Sequence, residues 1–216
     1  MIKYLVWDFD GTIADTDLCV LNNIKDVMKM YGIVEPDEMI LDAMKRQSSS
    51  VAVKYMADKY HKFTVEEFYE KYSQISHTYK NYENIKLNDG VKEVMEYVKG
   101  IGGKNFVVTN REDTVLHFLD VLGVSELIED VEYIGKDGYN DWKPSPLMIE
   151  RLVIKYNLDK TQVLSIGDRA LDYTASKEAG LKTCLYRAVY DNTKITPDYS
   201  IINMVDIIDI IKSSAK

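Results

Sequence analysis

The run WDFDGTIAD, residues 7–15, places two carboxylates, Asp8 and Asp10, one residue apart at the end of an apolar stretch. Gly11 and Thr12 follow at once, and a third acid stands at Asp15. Three other stretches end in residues that could do chemistry. The apolar run 106–108 closes on Thr109 and Asn110, Lys143 precedes Pro144, and the run 163–166 closes on Gly167 and Asp168, with Asp172 one helical turn beyond. Side chains alternate faces along a strand, so Asp8 and Asp10 project together while Phe9 points the other way. For an isolated Asp-x-Asp pair a solvated turn is the simpler reading; the chemistry-bearing residues at the other strand ends outweigh it. Carboxylates converging on one crevice repel, at roughly 4 kcal/mol for two charges about 4 Å apart at an effective dielectric near 20. Such a cluster takes up protons or binds a cation. Oxygen donors with no His or Cys nearby favour a hard ion, magnesium above all, which is commonly shared with a substrate phosphate. The Thr109 hydroxyl and the Lys143 ammonium would then hold phosphate oxygens, making an electrostatic clamp around a phosphoryl group.

The elements that must position these residues alternate between strands and helices. Residues 2–8 form a near-continuous apolar run, as in a buried parallel strand, and 106–108, 131–134, 163–166 and 183–186 read as further strands. Between them Val91, Val94, Met95 and Val98 share one helical face, as do Met148, Ile149, Leu152 and Val153. Gly180 stands where a helix over 169–179 would take a left-handed cap, and Pro144 suits the first turn of a helix. The alternation predicts an α/β fold, an open parallel sheet with helices on both faces, whose sites lie at the carboxyl ends of the strands.

One interval breaks the rhythm. A strand-helix-strand unit needs roughly 30–40 residues, yet about a hundred separate Asp8 from Thr109. The excess is helical in pattern, with one stripe of Leu21, Ile24, Met28 and Tyr31 closed by Gly32 and another of Phe68, Tyr72, Ile75, Tyr79 and Tyr82. Residues 16–85 are therefore read as a helical insertion, and the tyrosine stripe as the inside of that small bundle rather than a ligand box. Residues 1–15 and 86–216 make the sheet domain.

Composition narrows the function classes. A chain of 216 residues fits one domain plus an insertion, and its 46% hydrophobic content is ample for a core. A formal charge of −8 argues against a broad nucleic-acid footprint and against anionic lipid. Cys19 and Cys184 lie far apart without metal-type spacing, which points to a reduced, cytoplasmic setting. The first apolar run is too short for a signal peptide or membrane span. His61, His77 and His117 fall in no motif and read as surface residues. The apolar run 201–212 reads as a docked terminal helix that could serve a dimer, leaving monomer and homodimer both open.

Taken in order, DFDGT at 8–12, Thr109, Lys143 in KPSP and GDRALD at 167–172 resemble the four motifs of the haloacid dehalogenase superfamily. ADTD at 14–17 and SKEAGLKT at 176–183 are similar to its phosphoglycolate-phosphatase-like branch, which carries a helical cap where the long interval falls. The resemblance implies a Rossmann-like core over 1–15 and 86–216 with a cap over 16–85. It implies Asp8 as nucleophile and Asp10 as general acid and then base. Magnesium would be held by Asp8, Asp168 and the backbone carbonyl of Asp10, with Asp172 acting through water or as an orienting group. Gly11, Thr12, Thr109 and the amide of Asn110 would hold phosphate oxygens, and Lys143 would neutralise charge on Asp8 and the phosphoryl group. The family also suggests that a cap loop reads the substrate, which makes Arg46, in the run Lys45-Arg46-Gln47 before Ser48, Ser49 and Ser50, a candidate for an anionic group; a basic helix end followed by a serine cap explains the run as well. The implied activity is hydrolysis of a small phosphorylated metabolite. Thr12 leans away from sugar-phosphate mutases of the beta-phosphoglucomutase type, which often carry Val there. That class, a phosphonate-cleaving relative using Lys25, Lys29 or Lys54, and a non-catalytic phosphate-binding protein remain the alternatives.

Overall fold

The structure, a computed structural model, describes residues 1–46, 49–187 and 195–215, the side chains of Lys45 and Arg46 excepted. The described residues divide into two compact units, one of residues 1–14 and 87–216 and one of residues 15–86.

The first unit holds a six-stranded sheet built from β1 (Tyr4–Trp7), β4 (Lys104–Val108), β5 (Ile128–Glu132), β6 (Val163–Gly167), β7 (Lys182–Tyr186) and β8 (Tyr199–Ile201). The order is β5-β4-β1-β6-β7-β8, and every neighbouring pair is parallel. The chain therefore builds outward from β1 in both directions, and the ends of β1, β4 and β6 stand side by side at the switch point where such sheets bind ligands. Two short strands, β2 (Ala14–Asp15) and β3 (Lys86–Leu87), pair with each other. Leu5, Val6 and Trp7 are all buried, which is why the strand reads as a continuous apolar run rather than an alternating one.

Helices α5 (Val91–Gly100), α6 (Thr114–Val121), α7 (Leu147–Lys155), α8 (Ala170–Glu178) and α9 (Asp206–Ser213) complete this unit. Val6, Phe106, Val108 and Val163 form one core with Met148, Ile149 and Leu152 of α7 and Ala175 of α8. On the opposite face Trp7 donates its indole N–H to the Asn105 side-chain oxygen at 3.1 Å, and the Asn105 amide donates to the carbonyls of Met95 in α5 and Leu127, each at 3.1 Å. A buried asparagine thus ties both strands to the helix that covers them, with all its groups satisfied.

The second unit consists of α1 (Asp17–Met30), α2 (Asp37–Arg46), α3 (Ser49–Tyr60) and α4 (Val65–Ser76). Its core gathers Leu21, Ile24 and Met28 with Ile40, Met44, Val53, Met56 and Phe68. Thr64 and Glu67 form a reciprocal capping box at the start of α4, the Thr64 hydroxyl accepting at 3.1 Å and the Glu67 carboxylate at 2.8 Å. Buried Glu35 accepts from Lys59 and from the Tyr60 hydroxyl, both at 2.6 Å. Cys19 and Cys184 are both buried. No described helix is long and apolar enough to cross a membrane.

The structure corrects several local expectations. The first strand begins at Tyr4 rather than residue 2, and the strand expected over 131–134 runs Ile128–Glu132, starting three residues earlier than its apolar residues suggested. Helix α4 ends at Ser76, so Phe68 and Ile75 are buried on it while Tyr79 and Tyr82 lie beyond it, Tyr82 exposed. The 201–212 run is two elements: Ile201 closes β8 and the helix starts at Asp206, because the polar Asn203 interrupts a pattern that averaging treated as continuous. Pro144 precedes α7 instead of entering it, the helix starting at Leu147 after Pro146.

Candidate active site

Asp8 follows β1 directly, its backbone N–H still donating to Ile166 of β6 at 2.8 Å. The chain then turns sharply: the Ala14 and Thr12 N–H groups both donate to the Phe9 carbonyl, and Gly11 donates to the Ala14 carbonyl. The turn needs glycine at position 11 for two reasons. Its φ is +86°, and a Cβ there would run into the Asp168 carboxylate. Asn88, which carried no sequence signal, holds the turn by donating to the carbonyls of Gly11 and Thr12 at 3.2 and 3.0 Å. Thr12 itself is fully buried, its hydroxyl without a hydrogen-bond partner.

Lys143 reaches the end of β1 from the loop before α7. Its ammonium donates to Asp8 Oδ1 at 2.5 Å, Asp172 Oδ1 at 2.6 Å and the Val108 carbonyl at 2.9 Å. Asp8, Lys143 and Asp172 are 8%, 4% and 4% exposed, so the contacts act with little screening. The Asn110 side chain fixes this lysine at both of its backbone groups, donating to the Lys143 carbonyl at 2.9 Å and accepting from its N–H at 2.6 Å. Arg151 steadies the same loop by bridging Asp141 and Glu132 at 2.5 and 2.7 Å. Thr109, at the end of β4, is fully buried; its hydroxyl accepts the Arg111 N–H at 3.1 Å and keeps its own proton to donate.

Asp168 and Asp172 come from the β6–α8 turn. The Asp172 carboxylate accepts the Arg169 N–H at 3.0 Å, so both its oxygens are engaged, one by Lys143 and one at the helix start. Asp8, Asp168 and Asp172 each bring a carboxylate oxygen within 4.8 Å of the others. Burial pushes the Asp8 pKa up to about 7, with Asp172 and Asp10 adding to the rise against the pull of Lys143. Burial likewise raises Asp168 well above the usual carboxylate range, opposed by Arg169 and reinforced by Asp8 and Asp172. Burial also opposes the charge on Lys143, but Asp172 and Asp8 overcome it and hold the ammonium protonated. Asp8 and Asp172 therefore share one ammonium, while half-buried Asp168 beside them has its Oδ1 atom buried without a hydrogen-bond partner. This all-oxygen, over-acidic donor set fits a hard divalent cation, and magnesium fits it well.

Of the sequence candidates, Asp8, Thr109, Asn110, Lys143, Asp168 and Asp172 meet around the ends of β1, β4 and β6. Asp10 faces Arg111, a residue missed from the sequence: the guanidinium donates Nε to Asp10 Oδ2 at 3.2 Å and Nη2 to Asp10 Oδ1 at 2.5 Å. The strand-end Thr-Asn-Arg order was the available signal, since Arg111 lies two residues past Thr109, in the bend that follows β4 and returns its N–H to the Thr109 hydroxyl. Arg46 closes α2, and its side chain lies outside the described ones, as Gln47 and Ser48 lie outside the described residues.

The family model for haloacid dehalogenase-like hydrolases matches residues 5–186. A phosphoglycolate phosphatase of Aquifex aeolicus is 26% identical over 96% of this chain and 95% of its own. The pyrophosphatase PpaX of Halalkalibacterium halodurans is 23% identical over 100% and 99%. Among solved structures, one from Haemophilus somnus described as a predicted phosphoglycolate phosphatase superposes with a TM-score of 0.79 at 24% identity, over 97% of each chain.

Proposed function

This chain belongs to the haloacid dehalogenase-like hydrolases, and on that footing we propose that it is a magnesium-dependent phosphatase of small phosphomonoesters, working through a phosphorylated Asp8. The observation that carries the reading is the clustering of Asp8, Asp168 and Asp172, with the Lys143 ammonium shared by Asp8 and Asp172. The relatives named for phosphoglycolate and for pyrophosphate support phosphoryl transfer without choosing a substrate.

Asp8 supplies the carboxylate oxygen that attacks phosphorus, and Lys143, 2.5 Å away, orients that carboxylate and offsets charge building on the phosphoryl oxygens. Asp10 gives a proton to the leaving oxygen and then takes one from the water that cleaves the aspartyl-phosphate, returning Asp8 and inorganic phosphate. Thr109 donates its hydroxyl to a phosphoryl oxygen, and the Asn110 backbone N–H is assigned the same task. Asp172, both oxygens engaged, orients Lys143. Gly11 leaves room for Asp168 at the turn, and Thr12 keeps that turn closed from inside the core. Magnesium would be held by Asp8, Asp168 and the Asp10 carbonyl, with Asp172 beside them, and supplies Lewis-acid neutralisation of the phosphoryl oxygens. The helical unit, Arg46 included, is assigned to substrate selection as a cap.

The test is release of phosphate from p-nitrophenyl phosphate with and without magnesium. Activity should require the ion and vanish in Asp8→Asn, with Asp10→Asn nearly as damaged. Turnover surviving Asp8→Asn removes the nucleophile and with it this reading.

A further inference from the structure

The Asp10 carboxylate is gripped by a residue outside the four family motifs. Arg111 donates to both of its oxygens, at 3.2 and 2.5 Å, across 101 residues of sequence. The arginine is only 8% exposed, and four further contacts fix it from other directions. Its guanidinium lies 5.6 Å from the centre of the Phe9 ring and 5.1 Å from that of Phe118. Its N–H donates to the Thr109 hydroxyl, and its carbonyl accepts from Ile134 at 3.0 Å. A planar fork seated between two rings and tied at both backbone groups has little freedom, so it sets the plane of the carboxylate it holds.

We propose that Arg111 is a positioning residue for Asp10, fixing the carboxylate that exchanges protons with the leaving oxygen and with water. The inference rests on the assignment of Asp10 as acid and base, and adds the group that aims it. Both arms of the guanidinium donate to the carboxylate, so its two oxygens are held in one orientation toward the reacting group. In the first half-reaction the Asp8 oxygen bonds to phosphorus as the P–O ester bond breaks. The electron pair left on the ester oxygen takes the proton from Asp10, and the carboxylate so formed closes onto both arms of Arg111. In the second half, water gives its proton to Asp10 as its oxygen bonds to phosphorus and the P–O bond to Asp8 breaks. Thr109 and Asp10 are thereby referenced to the same residue, one through its backbone and one through its side chain.

The two esters that test this differ in how much they need a proton. p-Nitrophenolate leaves without one, whereas the alkoxide of glycerol 2-phosphate does not. Arg111→Lys keeps a cation against Phe9 and Phe118 but loses the two-point grip, and Arg111→Gln removes the charge as well. With magnesium present, both variants should lose kcat on glycerol 2-phosphate about 10-fold or more beyond any loss on p-nitrophenyl phosphate, with KM little changed, since positioned proton transfer is commonly worth about 100-fold or more. The lysine variant should retain the urea midpoint of the parent within experimental scatter, so a folding defect does not imitate the result. In an Asp10→Asn background Arg111→Lys should cost nothing further. Equal loss on both esters, a change confined to KM, or additive loss in the double variant overturns the positioning role. Each of those results leaves the phosphatase reading standing as long as Asp8→Asn is inactive, whereas an active Asp8→Asn sinks that reading by itself.

Discussion

Replacing Lys143 by methionine tests the electrostatic core of the site most directly. The side chain keeps its length and burial while the ammonium disappears, leaving Asp8 and Asp172 beside each other at 8% and 4% exposure with no cation between them. At contacts of 2.5 and 2.6 Å and an effective dielectric near 20, each attraction is worth about 6 kcal/mol before desolvation. Desolvation costs several kcal/mol per buried ion, so the net loss on removing one partner of such a set is about 3–5 kcal/mol. The Asp8 pKa, already pushed up to about 7 by burial, rises further once Lys143 no longer opposes it. A folded acid with a raised pKa binds its proton more tightly than the unfolded chain, so its penalty grows as pH rises and shrinks as pH falls. The variant should therefore be weakest at pH 8 and recover toward the parent as pH drops through 7 to 6. Urea denaturation in chelator reports this through Trp7, which is fully buried at the end of the strand that Asp8 follows. With a slope of about 2–3 kcal/mol/M, the midpoint at pH 8 should fall by about 1–2 M. A midpoint within 0.3 M (an order-of-magnitude threshold, about 1 kcal/mol at that slope) of the parent at pH 8, or a deficit that does not shrink on acidification, refutes the reasoning. Either result would mean that the two carboxylates do not carry charge together.

Gly11→Ala should lose most phosphatase activity and about 1–2 kcal/mol of stability, because φ is +86° and the new methyl meets the Asp168 carboxylate; full activity with normal magnesium dependence would show that the turn gives way. Asp130 offers a pH prediction away from the site. Burial works against its charge, yet Lys136 and Lys155 outweigh it at 2.7 Å each and hold its pKa below the ordinary value. Its contribution is thus present above the unfolded value of about 3.9 and lost as pH falls below it. Asp130→Asn should flatten the acid limb of stability against pH, and thermal melts from pH 6 down to pH 3 that parallel the parent would refute the assignment.

The candidate site residues were legible in the chain because each sits where a local pattern changes. An apolar run that stops at Asp8, at Thr109 or at Gly167 marks a buried strand reaching the rim of a parallel sheet, and burial on both faces is what makes that run continuous. Strand alternation alone placed Asp8 and Asp10 together on one side of Phe9, and spacing alone placed a helical insertion before Thr109. The same locality explains the errors: Asn203 and Ser76 end elements inside stretches whose average composition hardly changes. What only the tertiary structure decided is which side chain holds which. Asn110 clamping Lys143 spans 33 residues, Asn88 steadying Gly11 spans 77, and Arg111 gripping Asp10 spans 101. Such contacts depend on the strand order β5-β4-β1-β6-β7-β8, which sets β1 between β4 and β6. A sequence read by its local periodicity carries the faces of each strand, but the neighbour a strand acquires is settled by the packing of the whole sheet, and these ties come with the neighbour.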